Sequence, residues 1–241
     1  MQIIPAIDLK GGKVVRLEQG RMDRDKTYSD DPGAVARGFA AAGAELIHVV
    51  DLDGAVLGRP VNRAIVHDLA RAAGAPNELG GGIRDLDTIA DYLEHGVRRV
   101  ILGTAAHRDP NLVEQACARF PGRIVIGIDA REGKVAIRGW NEDTAMTAVE
   151  LARRYQRLAV AAIVYTDIAR DGMRTGPNVE ATVALARAVK LPVIASGGVK
   201  TIEHVRALLP FPEIVGVITG RALYEGDLNL AEAIALARSR A

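Results

Sequence analysis

Ile3-Ile4-Pro5-Ala6-Ile7-Asp8-Leu9-Lys10-Gly11-Gly12-Lys13-Val14 returns later as Ile124-Val125-Ile126-Gly127-Ile128-Asp129-Ala130-Arg131-Glu132-Gly133-Lys134-Val135, a shift of 121 residues. In both copies an apolar β-branched run ends in Ile-Asp, and Gly-Lys-Val follows. Three more motifs repeat in the same order. Asp51 is matched by Asp167 and Gly81-Gly82-Ile83-Arg84 by Gly197-Gly198-Val199-Lys200, both shifted by 116, and Gly103-Thr104-Ala105 by Gly220-Arg221-Ala222, shifted by 117. Several motifs in one order at nearly one offset divide the chain into two halves, about 1–120 and 121–241.

Between these motifs, short apolar runs alternate with segments of helical spacing. The runs are Ile3–Ile7, Leu46–Val50, Val100–Leu102, Ile124–Ile128, Ala161–Tyr165, Pro192–Ala195 and Ile214–Ile218, with a weaker one at Asn77–Leu79 inferred from spacing. They are continuous rather than alternating, the pattern of parallel strands buried on both faces. Helical spacing covers Ala34–Ala42, Asn62–Ala73, Leu86–Glu94, Asn111–Arg119, Thr144–Tyr155, Val179–Val189, Ile202–Leu209 and Leu228–Ala237. Asp31-Pro32, Asp109-Pro110 and Gly176-Pro177 place a proline at or near a first turn. Eight such units fit a (β/α)8 barrel or a doubly wound open sheet, and periodicity alone does not separate them. The repeat decides. Two half-barrels would expose sheet edges and close only on each other, so the expectation is a TIM barrel of α/β class forming a single domain over 1–241.

Composition narrows the function. Of 241 residues, 49% are hydrophobic and 25% charged, with a formal charge of +1. That balance excludes a disordered or collagen-like chain. It also removes the electrostatic argument for a nucleic-acid or anionic-membrane partner. The single cysteine, Cys117, has no intrachain partner, so a reducing cytoplasm is expected. No apolar run reaches the ~18–20 residues of a membrane helix. Met1-Gln2-Ile3 runs straight into strand-like sequence, so no leader peptide is expected. With neither coiled-coil heptads nor long apolar patches in view, a monomer is expected.

In α/β barrels the working face is the C-terminal end of the strands. Asp8, Asp51, Asp129 and Asp167 all follow apolar runs and fall there. Asp8 ends the first strand and Asp129 the fifth, which stand opposite in an eight-strand ring. Two opposed carboxylates can serve as general acid and general base. A lone Asp after a strand is more often a turn or a helix cap, but here both halves carry Ile-Asp at the same element. Thr166-Asp167-Ile168-Ala169-Arg170-Asp171-Gly172 adds a hydroxyl and further carboxylates. Thr166 suits either a structural position or a hydroxyl that orients Asp129, and Asp171-Gly172 suits a turn or a second acid.

Gly81-Gly82 and Gly197-Gly198 allow close backbone approach with N–H groups turned toward an anion. Gly103-Thr104 and Gly220-Arg221 add amides, a hydroxyl and a guanidinium at the next helix starts. Gly176, in Gly176-Pro177, and Ser196, directly before the second pair, are further phosphate-binding candidates. Two phosphate cradles flanking an Asp pair imply an elongated substrate with a phosphate at each end. Trp140, after a short hairpin, can pack locally or stack on a heterocycle, and Arg16 can return a charge to the mouth. Gln19–Asp31 is polar and long for a βα loop, so a mobile lid is expected there. His48, His67, His95, His107 and His204 lack metal-ligand spacing, and no zinc site is expected. His48 reads as a structural strand residue.

As a set, Ile4-Pro5-Ala6-Ile7-Asp8-Leu9, Val49-Val50-Asp51-Leu52-Asp53-Gly54-Ala55, Gly80-Gly81-Gly82-Ile83-Arg84, Thr166-Asp167-Ile168 through Met173, and Ser196-Gly197-Gly198-Val199 closely resemble the histidine-biosynthesis isomerase family HisA. The likeness runs through the whole chain. It implies a cofactor-free, metal-free Amadori rearrangement of the phosphoribosylformimino-aminoimidazole carboxamide ribotide, aminoaldose to aminoketose. That substrate carries two phosphates. The resemblance also implies a proton acceptor at Asp8, a proton donor at Asp129 with Asp171 as the other candidate, and a helper threonine at Thr166. The sibling cyclase subunit of imidazole glycerol phosphate synthase shares the doubled half-barrel but carries Cys where this chain has Ala6. Relatives that also isomerise phosphoribosyl anthranilate carry Ser where this chain has Gly80. A non-catalytic sugar-phosphate binding protein would keep the glycine turns without needing the opposed acids.

Overall fold

The computed structural model describes residues 1–18 and 21–239. In chain order the elements are β1 (Gln2–Lys10), β2 (Lys13–Glu18), β3 (Arg21–Ser29), α1 (Pro32–Ala41), β4 (Ile47–Asp51), α2 (Leu52–Leu57), α3 (Arg63–Ala72), β5 (Asn77–Gly80), α4 (Leu86–Glu94), β6 (Arg99–Leu102), α5 (Thr104–Arg108) and α6 (Pro110–Arg119). The second half continues with β7 (Ile124–Arg131), β8 (Lys134–Ile137), β9 (Glu142–Thr147), α7 (Ala148–Tyr155), β10 (Val160–Asp167), α8 (Val179–Ala188), β11 (Val193–Ser196), α9 (Ile202–Arg206), β12 (Ile214–Thr219), α10 (Arg221–Tyr224) and α11 (Leu230–Arg238).

Eight strands pair in parallel around a closed ring, β1-β4-β5-β6-β7-β10-β11-β12, and β12 returns to β1. This is the (β/α)8 barrel. Closure leaves no parallel edge, and β1 and β7 stand opposite each other. Each also carries an antiparallel hairpin, β1-β2-β3 and β7-β8-β9. The repeated Gly-Lys-Val of the sequence is the turn of that hairpin. Gly11-Gly12 and Glu132-Gly133 form two-residue loops with positive φ at both positions (55° and 80°, 51° and 78°). Such a turn matches the right-handed strand twist, and glycine adopts it without steric cost.

The period-2 alternation of each strand sorts side chains between two cores. Ile3, Ile7, Leu9, Ile124, Ile126 and Ile128 face the helices in the large outer core. Ile4, Ala6, Val125, Val164, Ile194 and Ile218 fill the barrel interior. Continuing the inward phase one step, or two from Val125 through Gly127, brings Asp8, Asp129, Thr166 and Ser196 to the mouth, where all four line one cavity.

Two expectations need correction. Residues 21–29 are not an open loop but the strand β3. It forms an exposed ribbon without an apolar face, so no hydrophobic signal marks it; Gln19 and Gly20 of the expected lid lie outside the described residues. Thr144–Tyr155 is divided, because 142–147 pairs with β8 and the helix starts only at Ala148, where Thr147 and Glu150 make a reciprocal capping box. Pro177 lies next to the first turn of α8, directly before its cap Asn178. Asp31-Pro32 and Asp109-Pro110 do start helices, each Asp accepting a backbone N–H. Cys117 is buried in α6, and burial pushes its thiol up to about 11. Among the described residues no helix is long and apolar enough to cross a membrane.

Candidate active site at the barrel mouth

A cavity of about 270 Å³ opens at the C-terminal ends of the strands. It is lined by Asp8, Arg16, Asp129, Trp140, Thr166 and Asp171, and by Gly81, Gly82, Gly103, Thr104, Ser196, Gly197, Gly198, Gly220 and Arg221. Of the residues expected to catalyse or to bind phosphate, Gly176 is outside the lining, and so are the strand-end carboxylates Asp51 and Asp167.

The carboxylates differ in their surroundings. Asp8, on β1, pairs with Arg16 on β2, Oδ2 to Nη1 at 2.5 Å. Hairpin register explains the meeting, since Asp8 stands opposite Val15 and Arg16 is next along. Burial opposes the Arg16 charge, but Asp8, Tyr224 and Asp171 outweigh it and raise the guanidinium pKa. The Arg16 Nε is buried with no partner. Asp129, on β7, sits in register with Thr166 on β10. Burial raises its pKa, while the Trp140 and Thr166 donors and His48 pull it back. Asp171, in the loop after β10, is pushed up to about 6, first by burial and then by the negative charges of Asp8 and Asp129, against the opposing pull of Arg16 and His48. The mouth therefore holds one carboxylate in an ion pair and two with raised proton affinity, the division of labour of an acid–base site.

Asp51 and Asp167 have another role. Asp51 is fully buried and accepts from the amides of Gly54, Val61 and Asn62 and from Asn62 Nδ2, the last at 2.7 Å. Its counterpart Asp167 accepts from Asn178 Nδ2 at 2.6 Å. Each ties a strand end to the next long helix.

Close packing explains the glycine pairs. A Cβ on Gly81 would meet the Asp51 carbonyl O at 2.2 Å, and one on Gly197 the Asp167 carbonyl O at 3.0 Å. A Cβ on Gly82 would meet the Arg59 carbonyl O at 2.7 Å, and one on Gly198 the Gly176 carbonyl O at 2.3 Å. All four have positive φ. Gly176 thus supports the Gly198 turn, and its N–H donates to the Gly198 carbonyl at 2.9 Å. The amides of Gly82, Gly103, Gly198 and Gly220 have no acceptor among the turn, loop and cap hydrogen bonds of the described residues. The Thr104 hydroxyl accepts from the Arg138 amide at 3.0 Å, binding the β8–β9 turn to the first cradle. Arg221 Nη1 donates to the Gly172 carbonyl at 3.1 Å, beside Asp171.

Sequence reading missed His48, Arg84 and Arg174, which also line the cavity. His48 lies on the inward phase of β4, and its Nδ1 is 2.8 Å from the buried Glu78 Oε1. Glu78 in turn accepts from Arg99 Nε at 2.6 Å. Strand phase was the available signal, since His48 stands one inward step before Val50 at the mouth. Arg84 ends the repeated Gly-Gly motif, and a Cβ on Gly58 would collide with its guanidinium at 2.2 Å.

Fold and mouth define a (β/α)8-barrel protein of the doubled half-barrel kind. A family model described as "Histidine biosynthesis protein" matches residues 2–229, and the chain belongs to that family. It is 57% identical over 240 residues to a protein of Geobacter sulfurreducens, covering 99% of this chain and 98% of that one. It is 57% identical over 238 residues to one of Pelobacter propionicus (98% and 97% covered). A protein of Paramagnetospirillum magneticum is 54% identical over 239 residues (99% and 100% covered). All three are named 1-(5-phosphoribosyl)-5-((5-phosphoribosylamino)methylideneamino) imidazole-4-carboxamide isomerase.

Proposed function

We infer that this chain is the isomerase for which these relatives are named. It converts the ribosylamino end of the bisphosphorylated imidazole-carboxamide ribotide from aminoaldose to aminoketose in histidine biosynthesis. The observation that carries the reading is the convergence of Asp8, Asp129 and Asp171 in one cavity flanked by two glycine turns, in a chain that matches those relatives over its full length.

One phosphate is held at Gly82, Gly103 and Arg84, the other at Gly198, Gly220 and Arg221. Asp171 gives its proton to the ribose ring oxygen. The bond from that oxygen to the anomeric carbon breaks, and the exocyclic nitrogen lone pair forms an iminium. Asp8, a carboxylate in its ion pair with Arg16, removes the proton from the adjacent carbon. The electron pair moves into an enolamine, which tautomerises to the ketone. One carbon is oxidised as its neighbour is reduced, so the step balances without a redox cofactor. Asp129 and Thr166 orient the ribose hydroxyls, and Trp140 covers the imidazole end. The protein acts as a monomer in the cytoplasm.

Purified protein should be assayed with the ribotide aminoaldose, with its ketose product plus ammonia, and with phosphoribosyl anthranilate. Turnover of the first substrate is expected. Turnover of the second alone points to the cyclase, and binding of the first without turnover to a carrier.

A further inference from the structure

On the outer wall of the barrel, away from the mouth, the fold gathers three metal-ligating side chains that sequence spacing does not connect. His67 comes from α3, Asp91 from α4, and His95 is the C-cap of α4. His67 Nε2 is 3.1 Å from Asp91 Oδ2, and His95 Nδ1 is 3.3 Å from Asp91 Oδ1. The three candidate ligand atoms lie within 4.8 Å of one another. We propose that His67, Asp91 and His95 form a binding site for a divalent transition-metal ion of the zinc type, bridging α3 and α4.

Ligand chemistry comes first. Two imidazoles and one carboxylate are an N/O set suited to zinc, with a fourth position left for water. Metal–ligand bonds of about 2.0–2.2 Å in a tetrahedron place the ligand atoms ~3.3–3.5 Å apart. The two distances to Asp91, 3.1 and 3.3 Å, run to different carboxylate oxygens, so one ion takes both imidazoles after a small rotation of the carboxylate. Asp91 and His95 share a helix face through their i,i+4 spacing.

Charge and exposure also fit. The His67 side chain is largely buried against Asp91, at 13% exposure, and the neutral imidazole is the ligating form. His67 is held on its other side by an edge-on contact with Tyr92, ring centroids 5.6 Å apart. The His95 side chain is 44% exposed, so the fourth position faces solvent. Arg63 is the opposing cation, its Nη1 3.6 Å from Asp91 Oδ2 on a half-exposed side chain.

Without an ion, hydrogen bonds hold the cluster together. The two imidazole rings stack at 4.1 Å, 8° from parallel, and His95 Nδ1 lies 2.7 Å from the Asp91 carbonyl O. An ion shared by both rings must lie near both ring planes. Binding therefore turns the exposed His95 ring out of the stack and exchanges its carbonyl contact for the metal. Protons compete for the same lone pairs, so affinity falls on acidification.

The test is zinc sulfate alone, titrated calorimetrically and by thermal melting into chelator-treated, untagged full-length protein. One ion per chain is expected, with a melting temperature that rises with zinc and an affinity that weakens from pH 7.5 to pH 6. His95→Ala, at an exposed helix end, should lower the affinity by about tenfold or more while keeping wild-type turnover and metal-free melting. Asp91→Asn should weaken binding likewise. No saturable binding by the wild type, or equal binding by His95→Ala, overturns the site.

Discussion

Gly220 lies directly beneath the guanidinium of Arg16: a Cβ on Gly220 would stand 1.1 Å from Arg16 Nη2 and 2.6 Å from its Nε. The missing side chain at Gly220, in the second half, thereby makes room for the arginine that pairs with the first-half carboxylate. Gly220→Ala must push Arg16 aside and break its contact with Asp8. Misplacement of about 1 Å can cost ~10²-fold in rate, and a loss of that order in kcat/KM is expected. Steady-state kinetics check it, and an unchanged kcat/KM would mean that Arg16 does not need its place.

Asp171 sets the pH dependence. Burial and its acidic neighbours push its carboxyl up to about 6, and a general acid works only while protonated. The sign follows: kcat/KM, which reports free-enzyme ionisations, should fall as pH rises above about 6, approaching tenfold per pH unit. Asp171→Asn should lose most activity and flatten that limb. A wild-type kcat/KM that stays level from pH 6 to 8.5 would assign the acid elsewhere.

The glycine turns are matched in position but not in tightness. At Gly81 the blocking atom is a backbone oxygen at 2.2 Å with φ at 104°, whereas at Gly197 it is 3.0 Å away with φ at 93°. Both alanine substitutions force a side chain into the left-handed region, which costs roughly 1 kcal/mol. Gly81→Ala also drives a Cβ into fixed backbone and should cost more than ~2 kcal/mol in total. Urea unfolding of the two variants should rank Gly81→Ala as clearly the worse. Equal losses would contradict the packing argument.

Much of this was legible because the barrel strands are buried on both faces. Ile3–Ile7 and Ile124–Ile128 have to be continuous apolar runs, and the repeated Ile-Asp identifies their working ends. The ribbon strands were not legible for the same reason. Arg21–Ser29 has no buried face, so its charges read as a loop. Strand phase, rather than residue type, separates the roles at the mouth. His48 has a strand residue's neighbours, and only the closed ring turns it into the cavity. Asp51 and Asp129 look alike in sequence, yet one is consumed by four donors from its own loop and the other faces the opening. His67 and Asp91 are brought together only by helix packing, beyond the reach of a spacing rule.

The central claim is that Asp8 moves the proton in the middle of a ligand held at both ends. It is tested most directly by Asp8→Asn, with ribotide binding and turnover measured on the same preparation. Binding within about threefold of wild type and turnover reduced by ~10²–10⁴-fold or more are expected. Wild-type turnover by Asp8→Asn would contradict the account.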